Sequence, residues 1–216
     1  MGVGLELESV QCLEETTSGR NSRVRARRRR RGSDEVAVFV AVHDAFSGDL
    51  LTTYRWTATG VDSRELHVVR QIVLDPRDST DSVLVTVLGY EIDGRGSTET
   101  LAKESFEGFR AAVGAGDWGM PVPRRGAYTA ARVLLLPPFA RRVLQDDTIM
   151  LDRFTVDAAD VPGRAVPEPV TYTPSDAVPG LSVEGRWDRF GGLRAIRTYR
   201  ARAEHSEYVL RFRFRV

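Results

Sequence analysis

The polar and apolar positions along the chain alternate with period two far more often than with period 3.6. "VGLELESVQCLEE" alternates from its third residue, the pattern of a strand buried on one face. "EVAVFVAVHDA" is β-branched and aromatic almost without interruption, and it predicts a central strand. "SGD" at Ser47 to Asp49 is a turn, and "LLTTYRWTAT" follows as the second arm of a hairpin. "RELHVVRQIVL" predicts a fourth strand, closed by the turn chemistry of "DPRDSTD". "SVLVTVLGYEID" predicts a fifth. Five strands at short spacing, separated by turns, predict an antiparallel β-sandwich rather than a parallel α/β sheet.

The period changes after Gly94. Thr98 is a good N-cap residue, and Ala102, Phe106, Phe109 and Val113 share one face at helical spacing. A helix of about four turns is predicted, ended by Gly114 and Gly116. "GDWGMPVPRRG" is loop, "AYTAARVLLL" returns to strand, and Pro137 and Pro138 open a short helical turn through "FARRVL". "DDTIMLDRFTV" is loop and then strand. The proline-rich "PGRAVPEPVTYTPSDAVPG" wraps the surface. "YVLRFRFRV" closes the chain with Leu210, Phe212, Phe214 and Val216 on one side and Arg211, Arg213 and Arg215 on the other. One domain of residues 1–216 is expected: an all-β antiparallel sandwich with a basic loop at 23–33 and a helical and loop insertion at 94–145.

Charge sharpens this picture at one place. Lys plus Arg is 31 and Asp plus Glu is 30, a net charge of +1, which disfavours a protein basic throughout. Yet seven of the nine residues from 23 to 31 are arginine: Arg23, Arg25, Arg27, Arg28, Arg29, Arg30 and Arg31. The run stands between the first two predicted strands and is a candidate anion-binding element. An anionic membrane surface would gain about 1 kcal/mol per basic residue held near it. Nucleic-acid phosphates are the alternative partner, although no aromatic residues interleave with the run. Pairing with the protein's own acidic loops and a plain solvated loop are the two readings without a partner.

The other chemistry is sparse. The one cysteine, Cys12, excludes a disulfide framework and reads as a small buried hydrophobe. His43, His67 and His205 stand apart from one another and from cysteine, so zinc-ligand spacing is absent. There is no Gly-x-Ser-x-Gly elbow and no phosphate-binding loop with its lysine, and no enzyme is expected. The first residues have no basic region followed by an apolar core, which predicts a cytoplasmic protein, with export by a non-classical route as the alternative.

Acidic residues, in contrast, gather at predicted strand ends: Glu14 and Glu15, Asp34 and Glu35, Glu91 and Asp93, Asp146 and Asp147. The order of these features resembles the C2 domains and the wider C2-like sandwiches. There, a strand ends in an acidic residue, a loop follows, and the next strand opens with Gly-Ser-Asp-Pro-Tyr-Val. Here the words are "CLEE", a long basic loop, and "GSDEVAVFV". "YEID" stands where the family carries Asp-x-Asp at a strand end, and "DDTIML" where another Asp precedes an apolar strand. The resemblance covers mainly residues 1–93 and 144–157. It implies a calcium site built from Glu15, Asp34, Glu91, Asp93 and Asp147, since calcium takes six to eight oxygen ligands. The chain departs from the family in using glutamate at two of these positions, Glu35 in place of proline, and arginines beside the site. The function expected is a non-enzymatic binding or structural module that attaches to a protein assembly or an anionic membrane surface, with a nucleic-acid accessory protein as the alternative.

Overall fold

The structure is a computed structural model, and it describes residues 2–14, 34–62, 64–92, 98–114, 148–159, 161, 173–174, 182–188, 194–203 and 206–216. They form two antiparallel sheets and one helix, the β-sandwich that the alternation predicts. The strands are β1 (Gly4–Glu14), β2 (Asp34–Asp44), β3 (Leu50–Val61), β4 (Leu66–Leu74), β5 (Ser82–Glu91), β6 (Thr148–Asp157), β7 (Thr173–Pro174), β8 (Ser182–Asp188), β9 (Arg194–Ala203) and β10 (Ser206–Arg215). The helix, α1, is Thr98–Gly114. One sheet runs β4-β1-β10-β9-β8-β7 and the other β3-β2-β5-β6.

The five strands and the helix predicted in the first half are present within a few residues of their expected bounds. Two strands, β8 and β9, stand where no strand is predicted. Their segments, "SVEGRWD" and "RAIRTYRARA", are short of β-branched residues, and the second carries four arginines. They are strands because each pairs with a neighbour along its whole length: β9 with β10 from Arg194 opposite Arg215 to Ala203 opposite Ser206, and β8 with β9 from Asp188 opposite Ile196 to Ser182 opposite Arg202. The proline-rich stretch contributes the two-residue β7 at that sheet's edge, a position that suits proline. The predicted strand in "AYTAARVLLL" and the helical turn in "FARRVL" lie outside the described residues.

Alternation sorts the side chains into two cores. Leu5 and Leu7 of β1, Tyr208, Leu210, Phe212 and Phe214 of β10, Val36, Val38, Val40 and Val42 of β2, and Val83, Val85 and Val87 of β5 meet between the sheets. Cys12 lies in this core, fully buried, as its setting predicts. The intervening residues of β2 and β5 face the other way and are buried too. Ala37, Phe39, Ala41, Leu88 and Tyr90 pack with Ile92 against Ala102, Phe109 and Val113 of α1. The helix is thus a third layer over the β3-β2-β5-β6 sheet. That accounts for the unbroken apolar run in β2: a strand covered on both faces has no solvent side on which to place polar residues.

β10 presents Arg211, Arg213 and Arg215 on the outer face of its sheet, as its alternation predicts. Two of them are not free charges. Arg213 binds the Glu8 carboxylate, and Arg215 binds that of Glu6, which is almost wholly buried. The pairs are diagonal across the ladder: the register sets Glu6 opposite Arg213 and Gly4 opposite Arg215, and each arginine reaches the glutamate two residues further along β1.

Candidate functional site

β1 belongs to one sheet and β2 to the other, so the chain must cross the sandwich between Glu14 and Asp34. The register defines the end at which it does so. Asp34 pairs with Val61 at the close of β3. The chain then crosses back through residues 62–65 to Leu66, which pairs with Gln11 near the end of β1. This short return is well anchored. The Cys12 N–H donates to the Glu65 carbonyl at 3.1 Å, and the Arg64 N–H donates to the Cys12 carbonyl at 2.9 Å. The Glu65 carboxylate accepts from the Asp62 N–H at 3.0 Å. Arg64 takes a left-handed backbone, φ 72°, to make the turn. Its tightness brings the end of β1 and the start of β2 to one end of the sandwich.

The other termini named by the acidic residues reach the same end. Glu91 pairs with Val36, and the Ile92 N–H donates to the Glu35 carbonyl at 2.7 Å. Tyr90 pairs with Thr148, the first residue of β6. The strand ends next to Glu15, Asp34, Glu91, Asp93 and Asp147 therefore converge, as antiparallel pairing requires. Of these five, Asp34 and Glu91 are among the described residues, as backbone positions. Glu15, Asp93 and Asp147 lie outside them, as do Arg23, Arg25, Arg27, Arg28, Arg29, Arg30 and Arg31. Among the described residues, no three His, Cys, Asp or Glu side chains form a group that could hold a metal ion.

The same end carries acidic residues that sequence reasoning passed over. Asp62 and Glu65 occupy the return. Glu207 opens β10, with Glu14 opposite it on β1 and Arg202 opposite it on β9. "ARAEHSEYVL" reads locally as an undistinguished charged segment. Its place beside the end of β1 comes only from pairing across nearly the whole chain. His67 lies at this end as well, edge-on to Trp56 with ring centroids 5.6 Å apart, and 3.5 Å from the Glu65 carboxylate.

The opposite end is a compact hairpin tip. The Asp44 carboxylate accepts from the Phe46 and Ser47 N–H groups, both at 2.7 Å. These bonds, that from Ser47 foremost, hold its carboxyl below the usual carboxylate range. Gly48 supplies the positive φ that the turn needs, 78°. Phe46 stands out at the tip, 82% exposed.

No helix among the described residues is long and apolar enough to cross a membrane. No family model, curated protein or solved structure matches the chain.

Proposed function

We propose that the protein is a non-enzymatic binding or structural module, a C2-like sandwich that works through the end where β1 passes to β2. One observation carries this reading. The tight return through residues 62–65 gathers the end of β1 and the start of β2, and the connection between those two termini holds the seven arginines of residues 23–31. A charged segment tethered at both ends to a rigid two-sheet body is held near one surface, and its attraction to an anionic partner is spent on contact rather than on locating the segment. The partner class is an anionic membrane surface or a protein surface of the same sign. The carboxylates flanking the converging termini, Glu15, Asp34, Glu91, Asp93 and Asp147, would supply the oxygen ligands that calcium takes, and calcium would offset their repulsion of an anionic partner.

The test is co-sedimentation with vesicles containing phosphatidylserine, with neutral vesicles and duplex DNA as the other arms. The full chain is expected to bind the anionic vesicles, more weakly as salt is raised from about 0.05 to about 0.2 M. Deleting residues 23–31 is expected to abolish binding while moving the melting temperature little, because shortening a long connection costs little. Millimolar calcium is expected to raise the melting temperature, and Asp93→Asn with Asp147→Asn to remove that rise. Binding to DNA alone would establish the nucleic-acid alternative. No binding to either anion at low salt would overturn the reading.

A further inference from the structure

The second core contains one imidazole. His43 follows Ala37, Phe39 and Ala41 along β2 on the face that α1 covers, and it is fully buried. Its Nε2 lies 3.2 Å from the carbonyl oxygen of Val113, in the last turn of α1. Helix carbonyls at that position lack a partner within the helix, so the side chain supplies one. A carbonyl oxygen only accepts, so Nε2 must carry the hydrogen. Nδ1 is then a bare lone pair. It is buried and has no hydrogen-bond partner. The histidine thus ties the end of the helix to the sheet in its neutral form, with one ring nitrogen left unsatisfied.

A second proton would have to sit on that nitrogen. Beside His43 in the ladder stand Leu50 on β3 and Leu84 on β5, with Thr86 two residues further along β5. The Thr86 hydroxyl is buried and accepts nothing from the ring. Arg153 of β6, opposite Thr86, is a cation that repels a second one. On α1, Glu107 is paired with Arg110 at 3.2 Å at the surface. The Asp44 carboxylate is engaged by the hairpin turn. Among the described residues, no free carboxylate meets the ring.

We propose that His43 is an acid-labile clasp: on taking up a proton it releases the last turns of α1, residues 109–114, from the outer face of the β3-β2-β5-β6 sheet. The Val113 carbonyl at a helix C-terminus favours a cation, which alone would strengthen the tie on acidification. Loss of solvation on burial, with Arg153 behind it, outweighs that and lowers the imidazole pKa below its ordinary value of 6.5. The sign follows. The open form binds a proton below pH 6.5 and the closed form resists it, so opening grows as pH falls from there and levels off below the closed-state pKa. Between those limits each pH unit raises the opening constant about tenfold. Opening uncovers Phe109, Val113 and the apolar face of β2 beneath them. Acid would therefore expose a new apolar surface on a sandwich that otherwise stays folded.

The experiment is amide hydrogen exchange on the full chain from pH 7.5 to 5, corrected for intrinsic exchange. Opening of residues 109–114 is expected to rise as pH falls below 6.5, by up to about tenfold per unit until the closed-state pKa is reached, while residues 100–104 change less. His43→Gln keeps a side-chain N–H but gains no proton, and its profile is expected to be flat. His67→Gln is expected to behave as the unaltered protein. A flat profile in the unaltered protein, or an equal rise in His43→Gln, overturns the proposal. Should His43→Gln fail to fold, the ring nitrogens of the unaltered protein decide by NMR. A neutral Nε2–H ring persisting below pH 6.5 supports the clasp, and an imidazolium in the closed state at that pH overturns it.

Discussion

Phe39 joins the helix to the sheet, and truncating it should show how much the third layer contributes. Its ring is fully buried, with the rings of Tyr90 and Phe106 centred 5.2 Å away and that of Phe109 at 5.5 Å. The Tyr90 contact is edge-on, at 68° between planes, an arrangement that sets positive ring edge against negative face. Phe39→Ala removes the partner of all three rings. Two of them belong to α1 and cannot follow the void without moving the helix. The guanidinium of Arg55, 5.9 Å from the centre of the Phe106 ring and paired with Glu99 at 2.5 Å, also restrains that movement. Collapse is therefore incomplete, and the cost lies in the range for buried aromatic truncation, about 3–5 kcal/mol. For a chain of this length about 2–4 °C is lost per kcal/mol, so the melting temperature should fall by roughly 6–20 °C. Phe39→Leu, which keeps most of the volume, should cost about 1.5 kcal/mol or less. Calorimetry or circular dichroism measures the shift, and amide exchange across α1 locates it. Phe46→Ala is the control, since that ring is exposed and its loss should stay within about 0.5 kcal/mol. A Phe39→Ala melting temperature within about 2 °C of that control would refute the reasoning, because α1 would then not be seated on this ring.

Three further outcomes are expected. Gly4→Val should destabilise by about 1–3 kcal/mol in chemical denaturation, because a Cβ at Gly4 would lie 2.5 Å from Cγ of the Pro76 ring, in the 3-10 turn Pro76–Asp78. Glu6→Ala should cost about 1–2 kcal/mol in the same assay: it strips Arg215 of its nearly buried carboxylate, but both arginines keep some contact with water. Burial pushes the Tyr90 phenol up to about 12, so the stability this neutral hydroxyl contributes is complete below pH 10 and is lost as pH rises towards 12. Tyr90→Phe should flatten that alkaline loss in melts recorded from pH 9 upward, and an unchanged slope would assign the loss to other groups.

The sequence by itself determined what depends on neighbours a few residues away. Alternation settled which residues of β10 share a face, because the pleat imposes period two where no bulge intervenes. The spacing of Ala102, Phe106, Phe109 and Val113 located α1 and its apolar stripe for the same local reason. The convergence of the acidic strand ends was also legible, since antiparallel strands joined in succession must return to the same ends. What a segment gains from its partners was not. β8 and β9 carry little strand signal of their own and exist through the ladder that β10 begins. Arg213 and Arg215 read as an open basic face until the first strand, some two hundred residues away in the chain, sets Glu6 and Glu8 beside them. His43 looked like any lone histidine in a strand. Only the helix packed over β2 removes its water, gives one nitrogen a carbonyl and leaves the other with nothing. For the two arginines and for His43 the deciding interaction joins residues that the chain separates widely. These groups stand on surfaces that meet only once the chain has folded, and the loss of water there sets what each one can pair with.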